Sequence, residues 1–445
     1  MRTVTERPGE AVLRRNFLEV AWVILLLAVS ATFACHYIYA NKLTGPPIRS
    51  DGYGYYAYLP AVFIDHDLSL KSARENLYGG TLYEHGIAQV AGTDRYIDKY
   101  AIGTAVMQAP FFLIAKKAAR KLGYPKDGYS QPFQIANMAS AIFYLCLGAF
   151  FTYCSCRSRF SRMVSTATVL LLVFGTNVFH YATYDSSFSH VYQFALMSML
   201  LWLGIRYLAD ADRRTKTCVA LGFVVGMIAL TRLTNIIAIM FPVILIASQW
   251  MEDRDYKRAA LHLGIVGVLC AVVVLPQLLY LHSVAGRWIL NSYAVTGEAA
   301  TFNWTHPELL NFMFSIRKGF FMWSPVLLAA AVGLIFAFAK HRALFTASAV
   351  VVAIHIYLCA SWYYWSFGGS YGSRPIIDII PLLAIPLAAA IAKSAQNRRS
   401  TLVAVTAMLL IAVNMTLMYA YWRTYVPFDG SNWKTITDLP AKLLQ

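Results

Sequence analysis

A carboxylate and three isolated cations are the residues best suited to chemistry. Asp51 opens the stretch DGYGYYAYLP, in which Gly52 and Gly54 are interleaved with Tyr53, Tyr55, Tyr56 and Tyr58. A partly buried acid can take a proton from a hydroxyl group at neutral pH, which is the work of a general base. The glycines permit tight backbone geometry and close approach of a ligand. Phenol faces suit stacking on sugar rings and equally suit a membrane interface, so only Tyr53 and Tyr55 are assigned to a pocket. Lys99 lies in DRYIDKYAIG, Arg232 in LTRLTN and Arg374 at the end of FGGSYGSR. Each is placed to meet a phosphate: Lys99 at the start of an interfacial helix, Arg232 inside an apolar block, and Arg374 beside the free amides of a Gly-rich turn. The plainer alternatives are snorkelling for Lys99, an ion pair for Arg232, and a local pair of Arg374 with Asp378. Asp185 and His190, in HYATYDSSFSH, are further pocket candidates, with helix capping as the plainer role. Arg317 and Lys318 could contact a phosphate headgroup or anchor a helix.

Other chemistries lack support. The Gly-rich stretch has no GKS/T and is no nucleotide loop. The spacing of His, Asp and Glu indicates no metal site; a divalent ion is possible but not indicated, so no cofactor is expected. Nothing points to a Ser-His-Asp set. The seven cysteines lie in or beside apolar segments, and Cys154-Ser-Cys156 has the wrong spacing for a zinc knuckle.

The elements that must position these residues are membrane spans. The chain is 58% hydrophobic and 13% charged, about half the charge of a soluble domain. Apolar blocks lie at 17–40, 132–154, 163–181, 188–208, 217–249, 260–282, 319–339, 344–362, 375–392 and 401–421. The block 217–249 is too long for one span, and LTRLTN divides it into a hairpin with Arg232 at the turn. Ala101–Gly123 is short of apolar length before Lys116 and reads as an interfacial helix. The positive-inside rule supports both readings. Arg2, Arg7, Arg14 and Arg15, then clusters at 157–162, 213–216, 253–258, 340–342 and 397–399, all fall on the cytoplasmic side. The expectation is an all-α polytopic membrane protein of about 11 spans, forming one integral domain over 1–445. Residues 41–131 would form a large outer loop and 422–445 an outer tail. The net charge of +16 is spread over such loops, with no dense basic run for nucleic acid. The polar segments that carry Asp51, Lys99, Asp185, Arg232 and Arg374 then share the outer face.

The order of these features resembles the GT-C superfamily of glycosyltransferases, nearest the branch of protein O-mannosyltransferases and lipid A aminoarabinose transferases. The likeness rests on SDGYGYYAYLP, DKYAIGTAVMQAPFFLIA, FGTNVFHYATYDSSFSH, GMIALTRLTN, PQLLYLHSVAGRWILNSY, SIRKGFFMWSP and GGSYGSRPIIDIIPLLAIPLA, and covers nearly the whole chain. The resemblance implies sugar transfer, with inversion, from a polyprenyl-phosphate donor to a lipid, glycan or protein of the envelope, on the outer face of the bacterial cytoplasmic membrane. It implies that Asp51 is the base, that Lys99 contacts the phosphate and that Arg374 does so as well. Two departures stand out: KYAIG replaces the usual Lys or His followed by Pro-Pro, and the first-loop acid is single rather than an Asp-Glu pair. A transporter or flippase of lipid-linked sugars is the alternative from another class; it would place polar groups near mid-membrane and often shows inverted repeats. An oligosaccharide ligase or polymerase would share carrier and topology.

Overall fold

The computed structural model describes residues 8–295, 297, 299, 301–337, 342–396 and 400–444, with side chains from residue 19 onward and without those of 336 and 337. Of the expected cytoplasmic charges, Arg2, Arg7, Lys340, His341 and residues 397–399 lie outside the described residues, as do the side chains of Arg14 and Arg15.

The architecture is helical. Helix α1 (Pro8–Ala40) leads into an excursion that holds α2 (Asp51–Pro60), α3 (Lys71–Glu75), strands β1 (Ile87–Gln89) and β2 (Tyr96–Asp98), and α4 (Gly103–Leu122). The strands pair antiparallel, Ile87 opposite Asp98 and Gln89 opposite Tyr96. There follow α5 (Gln131–Arg157), α6 (Arg162–Phe174), α7 (Val178–Thr183), α8 (His190–Ala209), α9 (Arg214–Thr231), α10 (Met240–Asp253) and α11 (Tyr256–Ala285). After short α12 (Ser292–Val295), α13 (Leu309–Phe314) and α14 (Phe320–Trp323) come α15 (Val326–Ala337), α16 (Arg342–Ser361), α17 (Ala384–Ser394) and α18 (Ser400–Trp422), then α19 (Trp433–Thr437) and α20 (Leu439–Leu443).

Eight helices among the described residues are long and apolar enough to cross a membrane, and the chain is a multi-pass membrane protein. Three shorter apolar helices, Arg162–Phe174, Val326–Ile335 and Ile380–Ser394, stand where further spans are expected. Local breaks mark where each one starts or stops. The first stops at Gly175, the second starts after Pro325, and two 3-10 turns, Arg374–Asp378 and Ile380–Leu383, each with Pro at an early position, precede α17. The long 217–249 block does split at Arg232, whose extended backbone (φ −148°, ψ 109°) ends α9 before the 3-10 turn Leu233–Ile239. Helix α4 carries Pro110 and ends in Arg120 and Lys121; it packs on α2 and α5 and leaves Val106, Leu113 and Ile114 exposed. That is the form of an interfacial helix.

Helix packing relies on small residues, because lipid tails offer no hydrophobic reason for helices to associate. Gly222 and Gly226 bring α9 onto α11, and a Cβ at Gly333 would lie 1.9 Å from the Pro386 carbonyl oxygen, where α15 meets α17. A second apolar core lies in the excursion and joins Tyr56, Tyr58, Ile97, Phe112 and Phe133 to Tyr280 and Val284 at the end of α11. Backbone amides of Asp98 and Ile102 donate to Tyr280 Oη and Gln277 Oε1, both at 2.9 Å. The excursion, and with it Asp51 and Lys99, is thereby fixed to the bundle.

Candidate active site

Asp51 is the first residue of α2, where the helix dipole favours a negative charge. Helical periodicity then sorts the tyrosines. Tyr55, four residues on, shares the face of Asp51, and both line one cavity of about 640 Å3. Tyr53, two residues on, points away from it. Its hydroxyl donates to the Ala73 carbonyl at 2.5 Å, and its ring stacks on Tyr129 with centroids 5.0 Å apart. Tyr56 and Tyr58 donate to the carbonyls of Gly128 and Tyr100, each at 2.6 Å. Three of the four phenols are thus structural. The glycines serve the fold too. A Cβ at Gly52 would lie 1.8 Å from Ser187 Oγ, and one at Gly54 would lie 2.6 Å from the His85 carbonyl oxygen. It is protein, rather than ligand, that approaches them closely.

The cavity brings Asp51, Lys99, Arg232 and Arg374 together from four separate parts of the chain. Arg374 Nη1 donates to Asp51 Oδ2 at 2.6 Å, with about a fifth of each side chain exposed. Burial alone would raise the Asp51 pKa. Arg374 and Lys99, with the Tyr100 hydroxyl alongside, outweigh it and hold the carboxyl down at about 2. Lys99 follows β2, and its ammonium lies 5.1 Å and 5.2 Å from the ring centroids of Tyr100 and Tyr293.

Arg374 does not pair with Asp378, the local partner that a spacing of four suggests. The segment is a 3-10 turn, so residues four apart do not stack as they would on an α-helix. Asp378, fully buried, instead accepts from Asn235 Nδ2 and His190 Nδ1, both at 2.9 Å, and pairs with Arg232 Nε at 3.2 Å. His190 therefore stands behind Arg232 rather than in the cavity wall, and Arg232 Nη1 reaches its Nε2 at 3.3 Å. Asp185 is also withdrawn from the cavity. It pairs with Arg49 at 2.7 Å and with His180 Nε2 at 2.9 Å. A buried charge needs such partners; His180 comes from the same loop and Arg49 from the segment before α2. Arg317 forms a two-pronged pair with Asp429 at 2.7 Å and 3.0 Å, while Lys318 donates to the carbonyls of Ser370 and Phe428. Together with Asn177, which donates to the carbonyls of Tyr371 and Ser373, Lys318 holds the turn that presents Arg374. Phe367, Gly368 and Gly372 in that turn have φ of 56°, 68° and 61°, a region that favours glycine.

Sequence reasoning missed the aromatic wall beside the charged residues. Tyr293, Phe302, Trp362 and Tyr363 line it, with Phe302 and Trp362 packed edge-on at 4.9 Å. SWYYWS was a visible signal, but nothing local distinguishes a pocket aromatic from an interfacial one. It also missed Asp98, fully buried beside Lys99, whose Oδ2 has no hydrogen-bond partner. Burial pushes its carboxyl up to about 8. Among the described residues no three His, Cys, Asp or Glu side chains gather as a metal-ligand set; the cation against Asp51 is a guanidinium.

No protein-family model matches the chain, and no curated protein does. Solved structures do. ArnT from Cupriavidus metallidurans bound to undecaprenyl phosphate superposes with a TM-score of 0.58 at 14% identity, over 96% of this chain and 71% of that one. The same protein in its apo state gives 0.55 at 15% identity, over 91% and 68%. The archaeal oligosaccharyltransferase AglB from Archaeoglobus fulgidus reaches 0.49 at 12% identity, over 93% and 57%, too low a score to carry an argument. The chain shares its membrane fold with ArnT.

Proposed function

We propose that the chain is an inverting glycosyltransferase, one integral domain over 1–445, that moves a monosaccharide from a polyprenyl-phosphate donor to a lipid, glycan or protein of the envelope. The site would open on the outer face of the bacterial cytoplasmic membrane. Asp51 takes the proton of the acceptor hydroxyl as that oxygen bonds to the anomeric carbon. The bond from this carbon to the phosphate oxygen breaks, and polyprenyl phosphate departs. Attack from the side opposite the phosphate inverts the centre. The donor phosphodiester carries one negative charge and the departing monoester gains another, so charge develops at the leaving group. Lys99, Arg374 and Arg232 are the cations that stabilise it, and Tyr55 flanks the sugar.

The observation that carries this reading is the meeting of a lone carboxylate with three cations in one cavity beside an aromatic wall. The fold shared with a protein solved with undecaprenyl phosphate supports it. The test is transfer by purified protein from polyprenyl-phosphate sugars to envelope extracts. Asp51→Asn should lower the rate by about 10²- to 10⁴-fold, the usual worth of a general base, while the protein stays monodisperse. Transfer at the unmodified rate by that variant would sink the assignment.

A further inference from the structure

Arg374 occupies an unexpected place for a residue that contacts only the donor. It is bound to the base. Among the described residues, only its Nη1 has a hydrogen-bond partner, and that partner is Asp51 Oδ2. The guanidinium has five N–H groups in a planar fork. Nε and Nη2 therefore remain for a second anion, and the residue lines the cavity. A carboxylate held this way is a poor proton acceptor near neutral pH, because base strength follows pKa. The cavity thus contains a base that is tied down by the cation suited to the leaving group.

We propose that Arg374 couples donor binding to base activity: a phosphodiester entering the cavity draws the guanidinium towards itself, loosens it from Asp51, and so readies Asp51 to accept the acceptor proton. The coupling rests on the reading of the cavity as a polyprenyl-phosphate site. It makes donor binding the first step and leaves the base idle until a leaving group is in place. Arg374 acts through Asp51 here and is a positioning residue as well as a phosphate contact. Once the guanidinium turns away, burial of Asp51 acts with less opposition and its proton affinity rises.

The other groups around the pair come from every side. Tyr55 lies on α2 itself, Lys99 and Tyr100 follow β2, Tyr181 is on α7 and Tyr293 on α12. Arg232 lines the same cavity, while Asp185 and His190 are withdrawn from its wall. Burial pushes the phenols of Tyr55 and Tyr100 up, so they do not titrate around pH 5. Asp185 and His190 are bound to their own partners and are unchanged in a comparison that alters only Asp51.

The test uses the undecaprenyl phosphate methyl ester, a monoanionic phosphodiester with no titration of its own near pH 5. Calorimetric binding to the full chain in detergent, in two buffers of different ionisation enthalpy at pH 5, counts the protons taken up. The coupling predicts uptake of roughly a tenth to a half of a proton by the unmodified protein, and none by Asp51→Asn. It also predicts that Asp51→Asn binds the ester about 3- to 10-fold more tightly, since Arg374 no longer has to leave a carboxylate. Binding of the ester without proton uptake by the unmodified protein overturns the coupling and leaves the carrier reading standing. Failure of the unmodified protein to bind the ester at all overturns both. The proton count on the unmodified protein decides the matter even where the variant does not fold.

Discussion

Asp378→Asn tests the buried network that aims Arg232 into the cavity. The replacement keeps the size of the side chain and removes its charge. Asp378 accepts from Asn235 and pairs with Arg232 through Oδ2, and accepts from His190 Nδ1 through Oδ1. His190 Nε2 in turn faces Arg232 Nη1. These partners assign the tautomer with hydrogen on Nδ1. An asparagine cannot satisfy this set. With its amide towards Asn235 and Arg232, it puts donor against donor. With its amide towards His190, the ring must move its hydrogen to Nε2, which then meets the donors of Arg232. One mismatch and one lost ion pair follow in either orientation. Breaking a fully buried pair costs about 3–5 kcal/mol. The Arg232 side chain is 17% exposed at the cavity, so about 2–3 kcal/mol is the expected loss. For a chain this long, that corresponds to a fall of about 2–3 °C in melting temperature. Thermal unfolding in detergent should also show that Asp378→Asn combined with Arg232→Gln falls short of the sum of the two single losses by about 1 kcal/mol or more. A variant that melts within about 1 °C of the parent, or strict additivity, would refute the reasoning.

Tyr53→Phe removes the bond to Ala73 and should cost about 1 kcal/mol of stability with transfer unchanged, whereas Tyr55→Phe should alter the kinetics of transfer and leave melting unchanged. Gly52→Ala places a methyl group against Ser187 and should shift the start of α2 and cut the transfer rate at least tenfold; Ser187→Gly in the same chain should restore part of it. Asp98→Asn bears on pH. The folded state holds the Asp98 proton up to about pH 8, while the unfolded chain releases it near its ordinary value of 3.8. Folding stability from this group is therefore intact below that value and is lost as pH rises towards 8. The asparagine variant should melt at or above the parent at pH 7.5, with the gap closing at pH 4.5.

Much of this protein was legible in its sequence because membrane insertion is a one-dimensional constraint. A span must be about 20 apolar residues long, and charge decides its direction. The break of the 217–249 block at Arg232 and the choice of Asp51, Lys99, Arg232 and Arg374 as one set could therefore be read from length, composition and the positions of Lys and Arg. Breaks caused by Pro and Gly were visible, but how far they shorten α6 and α17 was not.

What only the tertiary structure decided is which group faces which. The tyrosines of α2 are identical in chemistry, and their roles divide by rotation about one helix axis; the neighbours on each face come from α3, α4, α5 and the 98–101 turn. Asp185 and His190 are consumed by Arg49, His180, Asp378 and Arg232, and the aromatic wall is assembled from the loops around α12 and after α16. The decisive contact, Arg374 on Asp51, joins residues far apart in sequence. No local spacing encodes it, because an ion pair depends on distance in space, and that distance is set by how the helices of the whole chain pack.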